Sequence, residues 1–218
     1  LVGALCGALL GSLLAVGSAG PASAAPYDTT YHRYQENVTR LNLLSVTHPL
    51  IAHARSIGSS YEGRNIRALT IGDIGGRKPR VLLTCGQSGR EWISVAVCMG
   101  LATRYVEGYR SDPEIKKAVD AHPIDIIPMA NPDGYEYTHT NDRMWRKTRS
   151  VVRGSTCRGT DMNRNWDYQW STGGSSTNPC SDTYAGPRAF SEPEASALRN
   201  FAQDKNIAAA IDFGSYPR

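Results

Sequence analysis

Apolar residues recur at helical spacing in Tyr34, Val38, Leu41 and Leu44, and the pattern stops before Pro49, which predicts an amphipathic helix. Ile51 to Ile57 and Asn65 to Ile71 follow as two extended patterns joined across Gly63, and they read as a strand pair. Val81 to Thr84 is a largely apolar run closed by Cys85-Gly86 and fits a strand buried on both faces. A long helical pattern then runs from Glu91 to about Tyr109, and Pro113 to Ala121 predicts a second, shorter helix. Ile124 to Met129 is a second buried strand ending at Asn131-Pro132-Asp133-Gly134. Ser191 to Gln203 is helical, with Ser191-Glu192-Pro193-Glu194 as its start signal, and Ile207 to Phe213 is a further buried strand.

Buried strands alternating with helices predict an α/β layered sheet. In such sheets reactive groups gather outside the carboxyl ends of the strands. That rule points to three exits, Gly86 to Glu91, Asn131 to Gly134 and Gly214 to Tyr216. The stretch from Tyr135 to Arg188 reads as a loop too long for a plain connector, so it is expected to carry function or a disulfide-stapled surface.

Composition narrows the picture. A chain of 218 residues is long enough for one domain with a substantial core. Its 24 basic and 20 acidic residues are scattered and leave a formal charge of +4, which gives no nucleic-acid footprint. Leu1 to Val16 carries no charge and leads to Ala22-Ser23-Ala24, the pattern of a signal peptide with its cleavage site. Residues 1–24 are therefore assigned to a signal and 27–218 to the domain. Without an initiator Met or a basic leader, the sequence is expected to begin inside that signal. A membrane anchor is the alternative, but the apolar run is shorter than the roughly 20 residues that span a bilayer. Secretion into an oxidising compartment is thus expected, with no membrane association beyond the signal, and the cysteines other than Cys6 are read for disulfides. Cys85 and Cys98 lie in apolar patterns where a buried free thiol is the ordinary state, with their pairing left open. Cys157 and Cys180 lie in polar segments that suit a loop-closing disulfide.

At the strand exits the sequence becomes specific. Gly86-Gln87-Ser88-Gly89-Arg90-Glu91-Trp92-Ile93-Ser94 resembles the metallocarboxypeptidase segment G-x-H-x-R-E-W-I-S, and Asn131 to Tyr135 is similar to that family's N-P-D-G-[YF]. Arg143 to Arg149 resembles R-x-W-R-K-x-R, and Asp161 to Trp166 resembles D-x-N-R-N-W. Tyr61 to Arg64 and Pro179 to Tyr184 fit as well, in the same order. The resemblance runs from about Tyr31 to the last residue. It implies a three-layer domain with a mixed central sheet flanked by helices, and a Cys157 to Cys180 disulfide.

The family activity it implies is zinc-dependent removal of single residues from peptide C-termini. Carried over position by position, Arg146 matches the arginine that stabilises the developing oxyanion. Asn163 and Arg164 match the pair that grips the terminal carboxylate, while Arg90, Ser215 and Tyr216 match outer substrate positions. Taken alone, Arg146 or Arg164 would read as a solvated arginine and Glu91 as a first-turn helix acid. The motif context places the arginines in a site.

The metal positions depart from the family. Where the resemblance expects His, Glu and His, this chain has Ser88, Glu91 and Gly214. Neither a neutral hydroxyl nor a glycine replaces imidazole, so zinc is expected to be absent or weakly bound. His32, His48 and His53 belong to the N-terminal segment, His122 precedes a strand at the opposite end and His139 lies in the long loop, so none is expected to substitute. Asp212 shares a strand face with Gly214 and is a poor stand-in. Glu91 itself is expected to turn to Arg146 or Arg90, because an unpaired buried carboxylate is costly.

The family's specificity pocket and its glutamate general base have no counterpart before Arg218, and the strand ending at Phe213 is expected to form an exposed apolar edge. Three functions are weighed, an active zinc carboxypeptidase, a non-catalytic domain that binds peptide or protein C-termini, and a decayed product without a function of its own; an inactive or severely impaired monomeric family member is expected, with the family activity as the runner-up. Bound zinc marks the first. C-terminal peptide binding without zinc marks the second.

Overall fold

The structure, a computed structural model, describes residues 30–215. The assigned signal, Cys6 and Tyr216 lie outside the described residues. Helix α1 (Tyr34–Thr47) leads into a hairpin of β1 (Ala52–Ser59) and β2 (Asn65–Ile71). There follow β3 (Arg80–Cys85), α2 (Trp92–Gly108), α3 (Pro113–Ala121), β4 (Ile124–Ile127), α4 (Pro132–Thr140), α5 (Pro193–Asp204) and β5 (Ile207–Phe213). Among the described residues the strands form one mixed sheet in the order β1-β2-β4-β3-β5. β2 is antiparallel to β1 and β4, while β3 runs parallel to β4 and β5.

The alternation of side chains along each strand builds the layers. Ile66, Ala68, Leu82 and Ile127 pack with Met162, Phe190, Leu198 and Phe201 on one face of the sheet. Leu69, Ile71, Leu83, Ile124 and Ile126 pack on the other with Leu41, Val95, Met99, Val106 and Val119. The result is helix, sheet and helix in three layers, the architecture the sequence resemblance implied. β5 lies at an edge of this sheet, and its residues from Ala208 to Asp212 are exposed.

Two expectations need correction. The stretch from Pro132 to Thr140 is a helix, where the sequence reading ends a strand and opens a long loop. Asn131 caps it by accepting the Gly134 N–H at 2.9 Å, and Pro132 stands at its first turn. Its Gly, Tyr and Thr residues have modest helix propensity, so the helix depends on tertiary packing of the fully buried Tyr135. Cys85 and Cys98 are joined in a disulfide rather than being free thiols, with Cα atoms 6.2 Å apart. The end of β3 and the inner face of α2 meet across one core, and apolar patterning cannot tell a buried thiol from a buried half-cystine.

The turn between β1 and β2 is held by buried acids. Asp133 accepts hydrogen bonds from the Ser60 hydroxyl at 2.6 Å, the Glu62 N–H at 2.7 Å and Arg64 Nη1 at 2.8 Å. This gives the Tyr61-Glu62-Gly63-Arg64 and Asn131-Pro132-Asp133-Gly134 motifs a shared structural role. Glu194 on α5 is fully buried beside them. One of its oxygens accepts the Tyr61 N–H at 3.0 Å, and Oε2 has no hydrogen-bond partner.

Burial pushes the Glu194 carboxyl up to about 8, and the neighbouring Glu192 and Asp133 charges push the same way. The folded chain therefore holds a proton that the unfolded chain loses near the ordinary 4.5. Stability contributed by this group falls as pH rises between those values, by about 1 kcal/mol per pH unit, and levels off above the folded value. Glu194→Gln is expected to flatten the profile and to gain stability relative to the parent at pH 8. Urea unfolding from pH 5 to 8 checks this, and parallel declines in both proteins would assign the slope to other groups.

Candidate active site

β3, β4 and β5 are parallel, so their carboxyl ends open onto one edge of the sheet. The chain leaves β3 at Gly86, whose φ of +67° favours glycine and where a Cβ would come within 2.9 Å of Val95 Cγ2. The loop then passes against the start of α4 so closely that a Cβ on Gly89 would lie 2.5 Å from the Gly134 carbonyl. Ser88 and Glu91 are carried into the sheet edge by this tight path, and both are buried.

Asn131 ties the exits together. Its Nδ2 donates to the carbonyls of Gln87 and Lys147, each at 3.1 Å, while Oδ1 caps α4. The Gly89 N–H donates to the Arg146 carbonyl at 2.9 Å, which fixes the segment bearing Arg146 beside the β3 exit. Lys147 is buried and donates to the Pro179 carbonyl at 2.6 Å. Removal from water lowers its pKa. The adjacent Cys180 is bridged to Cys157 with Cα atoms 5.1 Å apart, as the resemblance implied. The bridge closes the stretch 157–180 on itself, and the Lys147 contact to Pro179 ties that stretch to the site.

Arg146, Asn163 and Arg164 converge on Asp161. The Asp161 carboxylate is fully buried, lies 2.9 Å from Arg146 Nη2 and 3.9 Å from Arg164 Nε, and accepts the Asn163 N–H at 3.2 Å. Two guanidiniums thus share one carboxylate, with Arg146 buried and Arg164 partly exposed. Arg90 stands further out and faces Asp182 at 3.4 Å. The chemistry such a set offers is recognition of an anionic, planar group.

Asn163 Nδ2 donates to Ser88 Oγ at 3.1 Å, so the position matched to the family's carboxylate-binding pair and the position matched to its first metal ligand are in direct contact. Glu91 occupies the N-cap position of α2 without capping it. Its Oε2 instead accepts the Ser215 backbone N–H at 3.1 Å. This corrects the expectation of an arginine partner. Arg146 is turned to Asp161 and Arg90 to Asp182, and the β5 exit offers Glu91 a fixed donor at no cost in side-chain ordering. Asp212 is also engaged, accepting the Thr84 hydroxyl at 2.6 Å. His139 lies on α4 rather than in a loop, stacked on Trp92 with ring centroids 4.0 Å apart.

The zinc carboxypeptidase family model matches residues 38–218. The chain belongs to the zinc carboxypeptidase family. Human carboxypeptidase A6 is 42% identical over 188 residues, covering 85% of this chain and 43% of that protein. Carboxypeptidase B of Astacus astacus is 39% identical over 192 residues, covering 86% of this chain and 62% of that protein. The crystal structure of carboxypeptidase A from Helicoverpa armigera superposes with a TM-score of 0.79 at 32% identity, over 86% of this chain and 46% of that one. The chain spans about half the length of the curated relatives it matches.

Zinc is the family's metal, and the residues at the assigned positions do not fit it. They supply a hydroxyl, one carboxylate already held by a backbone amide, and no side chain at Gly214, where zinc takes imidazole nitrogen, thiolate or carboxylate. Among the described residues no group of three or more His, Cys, Asp or Glu lies together so as to hold a metal ion. Asp161 and Asn131 are the site residues that sequence reasoning passed over. Both stand inside quoted motifs, and the Asn-Pro helix-start signature was the available signal for Asn131.

Proposed function

We propose that this domain is a secreted, monomeric carboxypeptidase-family module that recognises the C-termini of peptides or proteins without hydrolysing them through zinc. The observation that carries this reading is the pairing of a preserved carboxylate-recognition set with a metal position reduced to Glu91. Arg146, Asn163 and Arg164 gather around Asp161, and two guanidiniums held at one point support a site for an anionic planar group. Ser88 and Gly214 offer no donor that holds zinc. Two disulfides suit an oxidising compartment, and among the described residues no helix is long and apolar enough to cross a membrane.

Recognition of a free terminus predicts discrimination against its amide. A peptide with a free C-terminal carboxylate is expected to bind about ten- to a hundred-fold more tightly than the same peptide amidated, the scale of a charge-assisted hydrogen bond. Arg164→Ala is expected to erase that difference. Calorimetric titration with both peptides checks it, and equal affinities in the parent chain would refute recognition of the carboxylate.

A further inference from the structure

We propose that in this chain the Glu91 carboxylate serves as a metal-independent latch that holds the exit of β5 against the start of α2. The geometry is direct. Glu91 is buried at the N-terminus of α2, and its Oε2 accepts the Ser215 N–H across the sheet edge at 3.1 Å. Its backbone carbonyl accepts both the N–H at 3.2 Å and the hydroxyl at 2.8 Å of Ser94, which fix the residue in the first turn. A charged acceptor meeting a backbone donor is among the stronger hydrogen bonds a protein makes. A Cβ built at Gly214 would lie 3.4 Å from Glu91 Oε2, so the backbone leaving β5 runs directly alongside the latched carboxylate.

The first metal position has made the same exchange. Ser88 is buried and its Oγ accepts from Asn163 Nδ2 at 3.1 Å, so it joins the β3 exit to the turn that carries Arg164. Glu91 and Ser88 together hold three segments that a shared ion would otherwise organise: the β3 exit, the β5 exit and the Asp161 to Arg164 turn. β5 is an edge strand paired with β3 alone among the described strands, and beyond Phe213 the chain is held at this exit by the Glu91 contact to Ser215. The inference stands apart from peptide recognition, since it concerns how the site is held together and not what binds there.

Amide hydrogen exchange at Ser215 in the full chain reads the latch. Exchange is expected to be protected in the parent and unaffected by zinc or by a chelator. Glu91→Ala is expected to speed it about ten- to a hundred-fold. Glu91→Gln keeps the length of the side chain with a weaker, neutral acceptor and is expected to speed it several-fold, so it carries the test if the alanine variant does not fold. Unchanged exchange at Ser215 in the folded variants overturns the proposal. So does a zinc-induced change in the parent that Glu91→Gln abolishes, since the carboxylate would then serve a metal. Peptide titrations on the same samples separate the two readings: a parent that binds no peptide while Ser215 stays protected refutes recognition and supports the latch.

Discussion

Ser88→His with Gly214→His is expected to give this chain a zinc site. The two imidazoles would join Glu91, completing a three-ligand set of the kind that binds catalytic zinc with an open fourth position. A Cβ at position 214 would lie 3.4 Å from Glu91 Oε2, so a side chain there starts beside the carboxylate. Glu91 must leave the Ser215 amide to bind the ion, and that lost hydrogen bond sets part of the cost. With zinc at about 100 times its dissociation constant, the double variant is expected to gain about 3 kcal/mol of stability. The parent is expected to gain none. Thermal unfolding with and without zinc measures this, and equal shifts in both proteins would show that the ion binds elsewhere.

Asp161→Ala is expected to be the most damaging single change at the site. Asp161 is fully buried, faces the buried Arg146 at 2.9 Å and anchors the turn that carries Asn163 and Arg164. Removing one partner of a buried ion pair leaves the other charge desolvated, at a cost of about 3–5 kcal/mol. Asp161→Asn retains an acceptor for the Asn163 N–H and is expected to cost less. Both variants are expected to lose the preference for a free peptide carboxylate, since the arginines lose the group that orients them. Urea unfolding together with peptide titration checks the pair of effects. A stable Asp161→Ala with undiminished carboxylate preference would show that Arg146 and Arg164 are positioned by other contacts.

Much of this architecture was legible in the chain because burial leaves a periodic trace. The apolar runs around Leu82, Ile126 and Ala209 and the extended pattern from Asn65 to Ile71 mark the strands, their carboxyl ends point to the exits at Gly86, Asn131 and Gly214, and the family motif singles out Ser88, Glu91 and Gly214 there. The ordered motifs fixed the family and the Cys157 to Cys180 bridge. What escaped was set by tertiary contact. The α4 helix is stabilised by a buried tyrosine and an asparagine cap in a segment of low propensity. The Cys85 to Cys98 bridge hides in apolar sequence. The partner of Glu91 is a backbone N–H, and every non-proline residue carries one, so nothing in the identity of Ser215 announces it. Asp161 was passed over for a related reason, since an acid beside two arginines becomes informative once it is seen to be buried between them.

Whether the unmodified chain hydrolyses a peptide C-terminus when zinc is supplied decides between a binding domain and a zinc peptidase. The measurement is release of the terminal residue from a peptide with a free carboxylate, with zinc and with chelator, alongside binding of that peptide. The expected result is carboxylate-dependent binding with no release above the chelated control. Release that requires zinc and stops on its removal would contradict the account, and would show that Glu91 holds the metal with ligands other than Ser88 and Gly214.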